Sequence, residues 1–396
     1  MIDKKEIEHL KAIAETGNIT EAAAKLQEKL KSLDETPLNI AITGESGSGK
    51  SSFVNVILGL RDDAEGAAAT GVIETTMEPK AYSHPTLPNV KLWDLPGIGK
   101  PDFQADNYLK QVNFNSYDFF IIIASQRFTS HHASLAREIH KMGKKFYYVH
   151  SHVDNDLKGE KRKSNFNKER TLNQIRENCI KNLRELGEAS PRVFLISNWE
   201  PADYDFQLLQ ETLANELNGE KRHVFILALP NISAKIVEKK KAELQERIWE
   251  AALVSCAIGA LPIPGFSLVC DVVILMSRMS LFCKYLGLDE ESLTNLARQV
   301  DKPVEELKSV IQKSPLASTI TKDFVMSLLS KCIVGSLMAV ELLLDFVPVL
   351  GSLAGGALSL GTTYYMLKSF LDDAAEDAKK VLTKFLELKA EKVAQQ

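Results

Sequence analysis

Apolar and polar positions follow two different rhythms along this chain, and the change divides it. Residues 4–15 carry Ile7, Leu10, Ile13 and Ala14 at helical spacing. Gly17 stops that segment, Asn18 or Thr20 caps a second helix over roughly 20–33, and Pro37 ends it. From Leu38 the pattern changes. Leu38-Asn39-Ile40-Ala41-Ile42 is a buried-strand run that enters a glycine-rich turn. Similar runs are Val90–Trp93, Phe119–Ala124, Phe146–His150 and Val193–Ile196, mostly separated by helical stretches such as 104–112, 133–142 and 167–186. Strand and helix in alternation predict a doubly wound, mostly parallel sheet with helices on both faces.

After about residue 220 no strand pattern recurs. Helices are predicted at 231–260, 266–286, 290–300, 303–313, 321–344, 352–371 and 373–392. Asp289 caps one and Pro303 suits the first turn of another. The acidic run over 372–377, followed by Lys379 and Lys380, reads as the capped start of the last helix. Leu261-Pro262-Ile263-Pro264-Gly265 and Val347-Pro348-Val349-Leu350-Gly351 each break an apolar region, which suggests two helical hairpins. The predicted domains are N-terminal helices over 1–36, a nucleotide-binding domain over 37–218 and a C-terminal helical domain over 219–396.

Composition narrows the classes. Of 396 residues, 45% are apolar and 25% charged, a globular balance. The net charge of −4 gives no reason to expect nucleic acid as a partner. Five cysteines show no pairing or metal spacing, and Cys256, Cys270, Cys283 and Cys332 lie in the apolar C-terminal part, as reduced cytoplasmic thiols would. Met1-Ile2-Asp3-Lys4-Lys5 is not a secretory signal, Ile2 excludes N-myristoylation, and Val393-Ala394-Gln395-Gln396 offers no prenylation cysteine. The expected location is cytoplasmic. The apolar stretches 251–277 and 333–367 contain Pro, Gly, Asp271, Glu341 and Asp345, and each arm is shorter than the roughly 20 residues a spanning helix needs. They read as buried helices, with a hairpin that switches onto lipid as the alternative.

The chemistry begins at the first glycine-rich turn. Gly44-Glu45-Ser46-Gly47-Ser48-Gly49-Lys50-Ser51 fits G-x-x-x-x-G-K-S between a strand and a helix. Glycines let consecutive backbone N–H groups turn inward around phosphate, and the following helix points its positive end at the same anion. Lys50 reaches the β- and γ-oxygens, and the Ser51 hydroxyl suits Mg²⁺. Downstream, Leu92-Trp93-Asp94-Leu95-Pro96-Gly97 ends a strand on an aspartate suited to a Mg²⁺ water, with the Gly97 N–H available to the γ-phosphate. Between the two, a threonine that closes on Mg²⁺ is expected in Gly71-Val72-Ile73-Glu74-Thr75-Thr76-Met77. Thr76 is the choice, with Thr70 and Thr75 as rivals.

The base is read from two later strand ends. Tyr147-Tyr148-Val149-His150-Ser151-His152-Val153-Asp154 ends in S-H-V-D, where small-GTPase-like domains usually carry N/T-K-x-D. Asp154 is the aspartate that accepts guanine N1–H and N2–H₂, and His152 takes the place of the lysine whose stem lies along the base. Leu195-Ile196-Ser197-Asn198 sits where a backbone contact to guanine O6 is expected from Ser197 and Asn198. His131, His132 and His150 have no third ligand at metal spacing and read as ordinary surface or strand-end histidines. Asp154 disfavours an ATPase or kinase.

These residues resemble the interferon-inducible immunity-related GTPases. The resemblance runs from about Leu38 to the C-terminus and is carried by Gly44–Ser52, Glu74-Thr75-Thr76-Met77-Glu78, Trp93-Asp94-Leu95-Pro96-Gly97-Ile98-Gly99, Tyr117-Asp118-Phe119-Phe120-Ile121-Ile122 and Lys221-Arg222-His223-Val224-Phe225. Leu229-Pro230-Asn231-Ile232 and Glu238-Lys239-Lys240 extend it. It implies a Ras-like P-loop GTPase domain inserted in an all-helical domain built from both chain ends. It also implies GTP and GDP with Mg²⁺ as cofactors, and slow hydrolysis accelerated by a GTP-dependent homodimer or oligomer. Related GTPases are implied as possible partners, with peripheral action at intracellular membranes in cell-autonomous immunity. Three departures stand out. No myristoylation site is present, Thr129-Ser130 follow Arg127-Phe128 where relatives often carry basic residues, and His152 replaces lysine.

Ras-type enzymes orient water with a glutamine after D-x-x-G, and here that position is Ile98. Glu45 and Glu74 therefore become catalytic or dimer-face candidates beside Lys50 and Thr76, with Arg127 as another. Ser46, Ser48, Ser52 and the loop glycines complete the expected nucleotide contacts. A GTP-dependent interaction module with little hydrolysis is the competing reading.

Overall fold

The computed structural model describes residues 36–71, 76–98, 104–126, 128–188, 190–201, 203–259, 266–329 and 354–395, with six residues ahead of them. His9, Ala12, Ile13, Glu21, Ala24 and Lys25 are helical. The two Pro-Gly breaks, Glu74, Thr75 and Arg127 lie outside the described residues. Residues 36–232 form one compact unit, and residues 1–35 with 233–396 form the other.

The first unit is built on a six-stranded sheet in the order β2-β3-β1-β4-β5-β6. The strands are β1 (Leu38–Gly44), β2 (Lys80–Ser83), β3 (Val90–Asp94), β4 (Phe119–Ala124), β5 (Phe146–His150) and β6 (Val193–Leu195). All neighbours pair in parallel except β2, which runs antiparallel to β3 at the edge with Tyr82 opposite Leu92. A parallel sheet is covered on both faces, so its strands read as near-continuous apolar runs. All six residues of β4 are buried accordingly. Helices α1 (Lys50–Leu58), α2 (Ala105–Gln111), α3 (Ser130–Lys141), α4 (Val153–Glu160), α5 (Lys168–Glu185), α6 (Phe206–Glu216) and α7 (Gly219–Ala228) accompany it. Phe53, Phe120, Tyr148 and Phe206 are the largest fully buried side chains of this unit apart from Phe225 on α7.

Two differences from the sequence reading fall here. Strand β2 was not anticipated, because its four residues bury only Tyr82 and offer no periodicity. Helix α7 belongs to the sheet's unit and not to the helical half. Lys221 pairs with Asp118, whose other oxygen accepts the Asn39 N–H at 2.9 Å, so the helix is tied to the start of β1 and β4.

The second unit is helical: α8 (Ala234–Gly259), α9 (Phe266–Tyr285), α10 (Glu290–Gln299), α11 (Val304–Lys308) and α12 (Ala354–Gln395), with a further helical stretch over 322–329. A polar layer crosses the apolar helices, where Ser255 donates to Asp271 at 2.5 Å and Ser359 donates to the other oxygen at 3.0 Å. Helix α12 runs unbroken for 42 residues, which corrects the predicted pair 352–371 and 373–392. The acidic run is no helix start. Asp372 pairs with Lys241 at 2.7 Å and Glu376 with Lys313 at 2.6 Å. Asp377, fully buried, accepts the N–H groups of Gln312, Lys313 and Ser314. Those three bonds also explain why α11 ends at Lys308 and not at 313: the donors turn to Asp377 instead of continuing a helix. Among the described residues, no helix is long and apolar enough to cross a membrane.

Candidate functional site

Strand β1 lies between β3 and β4, so the connections leave it in opposite directions and open a crevice at the carboxyl ends of the strands, the usual ligand position in such sheets. Five loops meet there. Between β1 and α1 the chain turns through Gly47 and Gly49 at φ +75° and +85°, which an L side chain adopts only under strain. A Cβ on Gly44 would fall 1.9 Å from the Ile123 carbonyl oxygen, so β4 admits only glycine at the start of the loop. Lys50 is buried, and its Nζ donates to the carbonyls of Gly44 at 3.2 Å and Glu45 at 2.9 Å. Ser46 and Gly47 are exposed, and Ser52 follows in the first turn of α1.

The loop after β3 closes beside it. Asp94 is fully buried, and its Oδ2 accepts both the Ser51 hydroxyl at 2.7 Å and the Thr76 hydroxyl at 2.9 Å. Its Oδ1 is buried with no hydrogen-bond partner among the described residues. The structure thus brings together the three residues expected at Mg²⁺, while Thr70, one of the two rivals to Thr76, stands exposed and the other, Thr75, lies outside the described residues. The next turn is held on two sides. The Tyr108 hydroxyl contacts Thr43 Oγ1 at 2.8 Å and donates to the Pro96 carbonyl at 3.0 Å, and the Ile98 N–H donates to the Gly44 carbonyl at 3.0 Å. Gly97 lies between these anchors. Ile98 is 2% exposed, so its side chain belongs to the core.

The loops after β5 and β6 are locked onto the glycine-rich loop. Ser151, fully buried, donates to the Ser48 carbonyl at 2.7 Å. Asn198 Nδ2 donates to the Gly49 carbonyl at 3.1 Å. His152 sits in the left-handed region at φ 59° as the residue before α4, and a Cβ on Gly49 would fall 3.2 Å from its Nε2. Asp154 is buried, and its Oδ1, like Asn198 Oδ1 and Ser48 Oγ, has no partner among the described residues. The Ser197 hydroxyl is occupied, accepting the N–H groups of Trp199 at 3.2 Å and Glu200 at 3.3 Å.

Around Glu45 the sequence reading is corrected. His132 is a fully buried histidine, packed against Phe128 and Tyr148, and not a surface one. Burial pushes its pKa down to about 4, with nearby Glu45 pulling the other way. The Glu45 carboxylate accepts the Thr129 hydroxyl at 2.7 Å. Tyr108, Thr129, Ser151 and His132 are the site residues that motif reading missed. Only Thr129-x-x-His132 left a signal, because its spacing is that of a capping box, and both reciprocal bonds of one are present at the start of α3.

A buried lysine under a glycine-rich turn, hydroxyls gathered on one aspartate and this strand order place the fold in the P-loop GTPase class. The family model described as Interferon-inducible GTPase (IIGP) matches residues 3–385, and the chain belongs to that family. It is similar to Interferon-inducible GTPase 5 of Bos taurus, 44% identical over 389 residues that cover 98% of this chain and 83% of the relative. Interferon-gamma-inducible GTPase 10 of Mus musculus is 38% identical, covering 97% and 90%. T-cell-specific guanine nucleotide triphosphate-binding protein 2 of Mus musculus is 35% identical, covering 96% and 89%.

Proposed function

We propose that the crevice binds GTP and GDP with Mg²⁺ and that the chain hydrolyses GTP, slowly alone and faster in a GTP-dependent assembly of its own copies. Asp94 is the observation that carries this reading. A buried carboxylate holding two hydroxyls, with one oxygen unsatisfied, suits a hard cation that takes oxygen ligands and keeps several waters. Ser51, Thr76 and Asp94 would hold it, and Mg²⁺ when bound neutralises charge developing on the phosphate oxygens. Lys50 turns from two carbonyls to the β- and γ-phosphates, and the Gly97 N–H meets the γ-phosphate. Asp154 offers its unsatisfied oxygen to the guanine N–H donors. His152 lies along the base, and the backbone at Ser197 and Asn198 meets O6.

Ile98 offers no group to orient water, so a lone molecule lacks part of the catalytic set. Glu45 and Glu74, in the cradle and in the segment that carries Thr76, supply what a second copy completes. The names of the family and its relatives support a role in interferon-induced immunity; cell-autonomous defence with related GTPases as further partners and peripheral contact with intracellular membranes is part of the same proposal. The buried Ile98 equally favours a second reading, a GTP-dependent interaction module that hardly turns over.

Competition of GTP, GDP and ATP against a fluorescent GDP tests the base assignment. GTP and GDP should displace the probe and ATP should not. Asp154→Asn should weaken GDP by about 2 kcal/mol, roughly thirty-fold, through lost charge-assisted hydrogen bonds. Equal displacement by ATP would refute the guanine assignment.

A further inference from the structure

Glu45 carries a carboxylate into a loop shaped for phosphate, and like charges there oppose each other. Its own carbonyl already lies 2.9 Å from Lys50 Nζ, so a free Glu45 side chain has a short path to the same ammonium. The structure places that carboxylate elsewhere. Glu45 Oε1 accepts the Thr129 hydroxyl at 2.7 Å and lies 3.9 Å from His132 Nε2 and 4.0 Å from His131 Nδ1. His132 Nδ1 accepts the Thr129 N–H at 3.2 Å, which leaves the ring hydrogen on Nε2, the atom that faces Glu45. That nitrogen is buried and makes no hydrogen bond among the described residues, so it faces the carboxylate without bonding to it. Thr129 is also the N-cap of α3, so the helix fixes where its hydroxyl points. The carboxylate is held by a hydroxyl, a neutral ring edge and the positive end of a helix.

We propose that Thr129, backed by His132, is a positioning residue of the nucleotide site: it keeps the Glu45 carboxylate off Lys50 and so leaves that ammonium to the phosphates. The proposal rests on the reading of Lys50 as the phosphate-binding cation. Thr129→Val keeps the side-chain shape and removes the hydroxyl. The released carboxylate then competes with phosphate for Lys50, and the Kd for GDP and for a non-hydrolysable GTP analogue rises about tenfold. Thr129→Ser retains the clamp and restores the affinity. In a Glu45→Gln background, adding Thr129→Val changes nothing further, because an amide carries no charge to pair with Lys50. A merely structural role would lower the melting temperature in both backgrounds and show no such rescue.

The experiment is a fluorescent-nucleotide titration of the full chain at low salt, with a thermal melt for each variant and Lys50→Ala as the control. Should the valine variant melt below the assay temperature, Thr129→Gly removes the hydroxyl at small cost to the N-cap and adds no charge, and the same loss and the same rescue are expected. The proposal is overturned if Thr129→Val, or the variant that replaces it, binds as wild type, or if the loss persists undiminished in the Glu45→Gln background. Loss of binding in Lys50→Ala alongside intact binding in Thr129→Val removes the clamp and leaves the phosphate reading standing. Wild-type affinity in Lys50→Ala removes both.

Discussion

His132 carries an imidazole into surroundings where its charge is costly. Its folded pKa, pushed down to about 4, lies below the free value of 6.5. Between those values the unfolded chain binds the proton and the folded chain does not, so stability rises with pH through that window. The contribution is complete above 6.5 and is lost on acidification toward about 4, by up to about 3 kcal/mol. Urea melts at pH 7 and pH 5 measure it. His132→Gln, which keeps a side chain that suits the third position of a capping box, should flatten the difference, and an unchanged difference would show that other groups carry it. At this scale the glycine-rich turn and its buried lysine were legible, because strict spacing between strand and helix leaves few other readings. His132 was not, because its burial depends on Tyr148, which β5 brings to it from another part of the chain.

Asp377 shows what an element owes to a distant partner. Burial raises its carboxyl pKa, but the N–H groups of Ser314 and Lys313 and the Lys380 ammonium more than offset that, and the group is held below its usual range. Asp377→Ala would strand the backbone donors of the 312–314 turn against α12. A loss of about 3 kcal/mol is expected in the urea midpoint. A change under about 0.5 kcal/mol would mean that water satisfies the turn. The helices of the second unit were legible from their apolar spacing. The length of α12 was not, since acids at a helix start and acids paired along a helix face look the same in sequence. Strand β2 failed for the opposite reason: four edge residues with one buried side chain carry too little pattern.

Across the whole molecule, the alternation of strand and helix was enough to predict the doubly wound sheet and the helical half. The difference in where the units part, 218 in sequence and 232 in structure, comes from α7, held by the Lys221–Asp118 pair between residues far apart in the chain. The sheet supplies a glycine-rich turn, a buried aspartate with two hydroxyls and, at Asp154, a carboxylate oxygen without a partner among the described residues, but at Ile98 it supplies no polar group. A modest net charge of −4 does not oppose association of copies. Hydrolysis is therefore expected to depend on meeting a second copy. The most direct measurement is specific GTPase activity across a wide range of protein concentration, with molecular size followed in GTP and in GDP. The account predicts that activity per molecule climbs with concentration and that GTP, but not GDP, produces larger species. A constant specific activity from a molecule that stays monomeric in both nucleotides would contradict it.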